Sequence, residues 1–233
     1  MKKLLFWIVL IVGTVALLGS CAKKDESTAA AAAGNVAGTG TTASGTITGT
    51  PVTGTFHMSW NGETPAGGCV SNSSAISQFG LPSDTKSFKF KWIVTGTSTY
   101  TVSRITYSDE TCSTMTSYLN TMYENVTTGS ELTGLTAGSS PTKPTTASKF
   151  SSVEDQYALM ANTTVSVAYF LAAPYGISLD SGDELVIDEE SPVTQYGLAA
   201  TATVSGNSWL FIKRNISTAD NVTDWSGADG YWQ

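Results

Sequence analysis

The sequence predicts an all-β protein in which antiparallel strands close into a barrel or fold as a sandwich. Three observations support this prediction. Only 13% of the residues are charged, and Thr, Ser and Gly fill much of the rest, which suits strands and turns better than helices. Several segments alternate apolar and polar residues with a period of two, most clearly from Lys86 to Val94. Short turn sequences separate these segments, as expected between antiparallel strands.

The start of the chain has the layout of an export signal. Lys2 and Lys3 precede an apolar run from Leu4 to Leu18, and two small residues follow that run. The run is shorter than the ~20 apolar residues that a membrane-spanning helix needs. We therefore expect residues 1–20 to form a signal peptide rather than a permanent membrane span.

The tetrapeptide Leu18-Gly19-Ser20-Cys21 resembles the lipobox of bacterial lipoproteins, in which the cysteine is diacylated and the chain is cut just before it. The resemblance implies a lipidated Cys21 and a membrane partner, because each buried methylene adds ~0.8 kcal/mol of membrane affinity. Ala22 is not the aspartate that resembles an inner-membrane retention signal. We therefore expect the outer membrane, on its periplasmic or cell-surface side. The alternative is an ordinary signal peptide with a chance cysteine.

Residues 21–51 form a low-complexity segment of Ala, Gly, Thr and Ser with almost nothing to bury. A flexible segment of this length has an end-to-end distance of ~30 Å. We interpret it as a disordered tether between the lipid and one β-rich globular domain at residues 52–233.

The charge balance excludes one class of partner. The chain has 12 basic and 19 acidic residues and a net charge of −7. Loss of Lys2 and Lys3 with the signal leaves 10 basic against 19 acidic residues, a net charge of −9. Such an acidic protein is a poor ligand for nucleic acid, so we expect no nucleic-acid partner.

Cys69 and Cys112 remain as a pair if Cys21 carries lipid. In an exported, oxidising compartment this pair predicts a disulfide. Two free thiols or a metal site are the alternatives, but a zinc site uses histidines and closely spaced cysteines that this sequence lacks. We therefore predict neither a metal nor a cofactor.

Strands are predicted along the domain wherever apolar and polar residues alternate. The first contains Phe56, Met58 and Trp60 and ends at an Asn-Gly turn. The clearest strands are predicted as two hairpins, 86–94 with 100–107 and 196–204 with 209–213, and a short strand is expected at 184–187.

Three stretches give weaker predictions. The apolar residues of 115–126 and 165–173 fit either a helix or a strand, and both alternatives stay open. Residues 129–147, which contain Pro141 and Pro144, are interpreted as a polar loop. The tail after Arg214 has no clear period.

Two stretches resemble small lipocalin-like bacterial lipoproteins. Gly68-Cys69, the strand 86–94 and the segment Tyr107-Ser108-Asp109-Glu110-Thr111-Cys112 are similar to their opening, where a first-strand cysteine is tied to a Tyr-x-Asp-x-x-Cys segment. The hairpin 204–212 is similar to a late hairpin of those barrels. The resemblance implies a lipocalin-like barrel, with a β-sandwich as the alternative.

The same resemblance implies an interior cavity for a small apolar ligand, lined by aromatic side chains. Strand alternation alone predicts these residues in an ordinary filled core, because small barrels fill their interiors with side chains. The aromatic residues concerned are Phe88, Phe90, Trp92, Trp209 and Phe211.

Catalytic motifs are weak. His57 is the only histidine and the sequence has no Gly-x-Ser-x-Gly elbow, so we interpret it as a strand histidine facing the surface. Six carboxylates lie between Asp180 and Glu190, which we interpret as a solvated turn. A calcium loop and a glycosidase-like carboxylate pair are the alternatives, although EF-hand spacing is absent.

We therefore expect a non-enzymatic lipoprotein that presents its β-barrel domain for binding or adhesion, with a protein or a small apolar molecule as partner. A lipocalin-like carrier of a small apolar ligand is the first alternative, and a carboxylate-based hydrolase is the second. The aromatic residues Trp225, Tyr231 and Trp232 near the C-terminus either stack on a sugar or partner or plug an open end of the domain.

Overall fold

The structure, a computed structural model, describes residues 45–46, 51–137, 141–172, 174–216, 218 and 223–233. The predicted signal peptide, Cys21 and most of the predicted tether lie outside these residues. Near the end of the segment predicted as a tether, β1 (Gly45–Thr46) pairs with β2 (Pro51–Val52) in a small antiparallel sheet. None of the helices within the described ranges has the length and apolar character needed to cross a membrane.

The rest of the described chain is dominated by antiparallel strands. Two short α-helices and one 3-10 turn, Ala66–Gly68, accompany them; the helices are α1 (Ser73–Gln78) and α2 (Thr164–Leu171). The strands are β3 (Thr55–Met58), β4 (Ser87–Val94), β5 (Tyr100–Tyr107), β6 (Met115–Thr133), β7 (Thr146–Ala161), β8 (Glu184–Asp188), β9 (Thr194–Val204), β10 (Asn207–Ile216) and β11 (Asp229–Trp232).

Eight of these strands close into a barrel. Their order is β6-β5-β4-β3-β11-β10-β9-β7, and β7 pairs back with β6 along most of its length. The predicted all-β barrel is therefore confirmed, and the sandwich alternative is wrong. β8 is an additional strand that pairs with the C-terminal half of β7, while β9 pairs with its N-terminal half. β8 and β9 thus run along one edge of β7, with residues 189–193 between them.

Strand alternation decides what the barrel buries. The inward face of β4 carries Phe88, Phe90, Trp92 and Val94, all of them buried in the main core. Aromatic rings then stack across neighbouring strands in the interior, where the Trp92 and Tyr100 centroids are 3.9 Å apart and those of Tyr100 and Tyr123 are 4.6 Å apart. This aromatic stack fills the middle of the barrel with large side chains that favour such offset contacts.

The connection between β6 and β7 spans residues 134–145, and we call it the strap. Its described residues, 134–137 and 141–145, include Leu135 and Pro144, which contact the outer side of the barrel at β9 and β10. Leu135 packs there against a second buried cluster that contains Trp209, Phe211 and Trp225. The Trp225 Nε1–H donates a hydrogen bond of 2.7 Å to the Pro144 carbonyl oxygen. The strap therefore keeps the apolar outer side of these two strands out of water.

Helical segments cover the end of the barrel at which β4 begins and β5 ends, which we call the helical end. Phe79, directly after α1, contacts Phe88 and Phe90 at centroid distances of 5.6 and 4.9 Å. From α2, Phe170 packs in a buried cluster with Leu159 of β7. The Thr163 hydroxyl, beside α2, donates a 2.7 Å hydrogen bond to Asp84 Oδ2 and so joins the two covering segments.

The predicted disulfide is present. Cys69 and Cys112 are bonded with their Cα atoms 5.9 Å apart, so the β3–β4 connection is tied to the β5–β6 turn. Asp109 organises that turn. The Thr111 hydroxyl and the backbone N–H groups of Thr114 and Ser113 donate to its carboxylate, and these hydrogen bonds hold the pKa of Asp109 well below its usual range.

The structure settles the two ambiguous segments differently. Residues 115–126 lie in β6, where β5 and β7 supply hydrogen-bonding partners on both sides. Residues 164–171 form α2, because the Thr163 side chain accepts a hydrogen bond from the Ser166 N–H and caps the helix.

The prediction of a polar loop over 129–147 is wrong in extent. β6 continues to Thr133 and β7 begins at Thr146, so the connection is only the strap. The Thr- and Ser-rich ends of these strands pair with each other, as Thr133 with Thr146, and several of their side chains stay in water.

Candidate functional site

The barrel interior contains charged side chains as well as aromatic ones. Arg104 of β5 pairs in register with Phe90 and Leu119, and its side chain shares their inward face. Asp229 of β11 pairs in register with the core residue Ile212, and Arg214 of β10 lies over the core residue Trp92, so both also point inward. Charged groups are costly to bury without partners. The presence or absence of a hydrogen-bond or ion-pair partner therefore indicates whether each charged side chain stabilises the fold or is available to a ligand.

Arg214 is held by the aromatic stack. Its guanidinium lies 5.3 Å from the centre of the Trp92 ring, and its Nη1–H donates to the Tyr123 hydroxyl at 3.4 Å. Burial, partly offset by Arg214, raises the pKa of Tyr123 to about 12, so the hydroxyl stays protonated at neutral pH. Arg214 thus belongs to the packed middle of the barrel.

Glu154 of β7 is also satisfied. The Tyr157 hydroxyl donates to its Oε1, and the Gln195 Nε2–H donates to its Oε2 at 2.6 Å. Both carboxylate oxygens therefore have neutral donors, and Glu154 is held in place by hydrogen bonds within the barrel.

Arg104 differs from both. Its guanidinium lies 5.5 Å from the centre of the Phe90 ring, yet the side chain is exposed to solvent although it points inward. Within the described ranges, no side chain or backbone oxygen accepts a hydrogen bond from it and no carboxylate forms an ion pair with it. Its N–H donors are therefore unused by the described residues, and the side chain borders a small pocket of about 20 Å³ together with Leu119 and Phe170.

Asp229 is the corresponding acidic group. Desolvation raises the pKa of its carboxyl, against the attraction of Arg214, Arg104 and Lys143, which acts to lower it. The side chain is nevertheless exposed to solvent, and it lies at the wall of a cleft. None of the described residues forms a hydrogen bond or ion pair with the carboxylate.

A cleft of about 600 Å³ opens beside Asp229 at the helical end. Its walls combine aromatic, thioether, amide and charged groups, a mixture suited to an amphipathic small molecule. The strap contributes one of the charges. The principal side chains are Met58, Trp60, Gln78, Phe79, Lys143 and Asp229. A second cleft, of about 430 Å³, is lined by residues that include Phe56, Thr201 and Trp209, and no charged side chain contributes to it.

The predicted cavity-lining residues separate into two groups. Phe88, Phe90 and Trp92 face the interior, whereas Trp209 and Phe211 lie in the outer cluster beneath the strap. The period of two is right for β10, but the strand is apolar on both faces. Leu210, which alternates with the two aromatic residues, is the one that points inward. Alternation without polar contrast does not reveal which face is inside.

The aromatic residues near the C-terminus, and His57, pack within the fold. Trp225 is buried under the strap, and Tyr231 is buried in the barrel core. His57 lies on the outer face, where Trp232 is 5.7 Å from its ring and Gly68 covers it closely. Burial, together with Lys91 and Lys89, lowers the pKa of His57 to about 4.

The acidic stretch 180–190 includes β8. Tyr118 donates to Glu184, and Gln156 donates to Asp188 at 2.6 Å, so two of its carboxylates hydrogen-bond to neighbouring strands. In the part of the chain that the structure describes, no three potential metal ligands gather at one point.

Sequence reasoning missed Arg104 and Asp229. A signal for Arg104 was present, because Tyr100, Val102, Arg104 and Thr106 share one face of a strand and the first two are buried. A charge at such a position lies in the interior if the strand joins a barrel. For Asp229, the short strand β11 gave no periodic pattern to place it.

Comparison with known proteins adds no assignment: no protein-family model matches the chain, and no curated protein matches it significantly in sequence.

Proposed function

We propose that this protein is a non-enzymatic, outer-membrane-anchored bacterial lipoprotein whose barrel binds a small molecule at the helical end. The anchor rests on the lipobox resemblance at Cys21. The binding function rests on one observation: Arg104 and Asp229 point into a closed barrel without a hydrogen-bond or ion-pair partner among the described residues, and Asp229 lines a cleft of about 600 Å³.

Energetics favour a ligand over a merely structural role for these two charges. Desolvation disfavours the charged form of Asp229, which has no described partner, whereas Arg214 and Glu154 have partners supplied by the barrel. Arg104 makes no hydrogen bond or ion pair with the described residues through which it would stabilise the fold. A bound molecule would satisfy Arg104 and Asp229 and would stabilise the fold by mass action.

Adhesion through exposed aromatic residues receives less support. Trp225 and Tyr231 are buried and Trp232 is half-buried, so these residues do not form a free stacking surface. A carrier of a purely apolar ligand also fits less well, because the cleft contains Lys143 and Asp229. The proposed ligand has polar groups as well as an apolar part.

Native mass spectrometry of the full-length protein, extracted from membranes in detergent, tests the binding proposal. We expect an additional mass that is lost on denaturation. A protein without bound mass, whose melting temperature also does not rise with any member of a broad metabolite panel, would contradict small-molecule binding. For the anchor, radiolabelled palmitate should enter the wild-type chain and not a Cys21→Ser variant. Equal labelling of both would contradict lipidation at this residue.

A further inference from the structure

We propose that the ligand is a small zwitterion, an amino acid or short peptide with a free carboxylate and a free ammonium group, bound by Arg104 at one end and by Asp229 at the other. This inference rests on the proposed binding function and specifies its ligand. It follows from the placement of two unpaired, opposite charges in one interior.

Arg104 supplies the anion-binding end. A guanidinium presents a planar fork of N–H donors that matches a carboxylate with two parallel hydrogen bonds. The Phe90 ring lies against this guanidinium at 5.5 Å and limits the directions in which it can turn. Because no described oxygen accepts from it, these donors are not used within the described chain.

Asp229 supplies the cation-binding end. Three cationic side chains act on its carboxyl, yet none lies within ion-pair distance in the described chain, where the only side-chain ion pair is Lys213 with Asp224. Desolvation raises the pKa of Asp229, and a bound ammonium would offset that cost. An N–H donor from a ligand is the group that this site lacks.

The topology brings the two ends together across the interior. Arg104 lies on β5 and Asp229 on β11, with β4 and β3 between them in the sheet. The curvature of the closed barrel turns these strands toward each other. Arg104 contacts the Phe90 ring, which in turn contacts the Phe79 ring at 4.9 Å. Phe79 and Asp229 line the same cleft, and within the described chain Arg104 and Asp229 form no direct ion pair. Arg104 nevertheless acts to lower the pKa of the Asp229 carboxyl. A molecule with both charges can bridge the two side chains.

Ligands of a single charge fit less well. A simple anion at Arg104 would leave Asp229 unpaired and would be repelled by it. A simple cation at Asp229 would face Arg104, Arg214 and Lys143, which all act on that carboxyl. Only a ligand with both charges pairs the two groups at once.

The aromatic side chains that line the cleft indicate what kind of side chain the bound zwitterion carries. The Phe79 ring lies between those of Phe90 and Trp60, at centroid distances of 4.9 and 5.7 Å. Such walls favour an apolar or aromatic side chain through burial and edge contacts. Phenylalanine and the dipeptide Phe-Phe are therefore suitable probes, and the two differ in the separation of their charges.

Isothermal titration of the full-length protein in detergent tests the inference with these two probes and two blocked forms of each, N-acetylated or C-amidated. We expect at least one free probe to bind, and each blocked form of it to bind about tenfold or more weakly, because each lacks one charge-assisted contact. Arg104→Met should remove the preference for a free carboxylate, and Asp229→Asn the preference for a free ammonium. Arg104→Lys should restore part of the first preference.

Lys86→Met and Asp155→Asn are matched controls, because both side chains are exposed and neither lines the cleft. Circular dichroism establishes that each variant is folded. Equal binding of a free probe and either blocked form would overturn the zwitterion, as would unchanged preferences in the folded Arg104 and Asp229 variants. A native ligand seen by mass spectrometry while no free probe binds would also overturn it, yet would leave the proposed function standing. Absence of both ligand and probe binding would contradict the two together.

Discussion

Replacing both bridging cysteines, as Cys69→Ala with Cys112→Ala, removes the covalent link between the β3–β4 connection and the β5–β6 turn. The bond closes a loop of 43 residues that contains all of β4 and β5. On the chain-entropy account, such a loop stabilises the folded state by about 4 kcal/mol, because the cross-link restricts the unfolded chain. For a domain of this size, the variant should melt about 8–16 °C lower.

The assay is chemical denaturation of the full-length protein, followed by tryptophan fluorescence, for the oxidised wild type, the reduced wild type and the double variant. The two forms without the bond should agree with each other and lie about 4 kcal/mol below the oxidised protein. Reductant should leave the double variant unchanged. A difference below about 1 kcal/mol between the oxidised protein and the double variant would refute the reasoning, because the cross-link would then add little to the restriction of the unfolded chain.

Three further outcomes are expected. Because the pKa of His57 is lowered from 6.5 to about 4, its contribution to the free energy of unfolding is full above pH 6.5 and is lost as the pH drops toward about 4. The loss should be about 1–2 kcal/mol after solvent screening. Denaturation at several pH values should show a flatter pH dependence for His57→Gln. Gly197→Ala places a methyl group 2.1 Å from the Lys213 carbonyl oxygen and should cost about 3 kcal/mol of unfolding free energy, whereas Gly129→Ala, with contacts no closer than 3.4 Å, should cost far less. Trp225→Phe removes the hydrogen bond to the strap and should cost about 1–2 kcal/mol, with faster proteolysis within residues 134–145; an unchanged cleavage rate would contradict a role in holding the strap.

Much of the barrel could be predicted from sequence because its strands show contrast between their faces. The predicted strand Tyr100–Tyr107 has the bounds of β5, and Lys86–Val94 differs from β4 by one residue. Where that contrast is missing, as in β10, the strand was found but its inner face was not. The short α1 and β11 were also missed, since each has too few residues to show a period.

The candidate site depends on closure, which a sequence pattern does not contain. Arg104 and Asp229 lie 125 positions apart in the chain, and they share an interior only because the β7–β6 pairing closes the sheet. Whether an interior charge finds a partner is likewise a property of the assembled barrel. Arg214 does so at Tyr123, and in the described chain Arg104 does not.

The added strand β8 has a consequence for how copies of this protein meet. In the described part of the sheet, β8 pairs only with β7, so its other edge is open, unlike the edges that barrel closure removes. An open edge is a template on which a second copy can add a strand. Four acidic residues lie in or beside β8: Asp183, Glu184, Asp188 and Glu189. Two such edges would therefore repel each other electrostatically. The acidic stretch thereby opposes edge-to-edge aggregation.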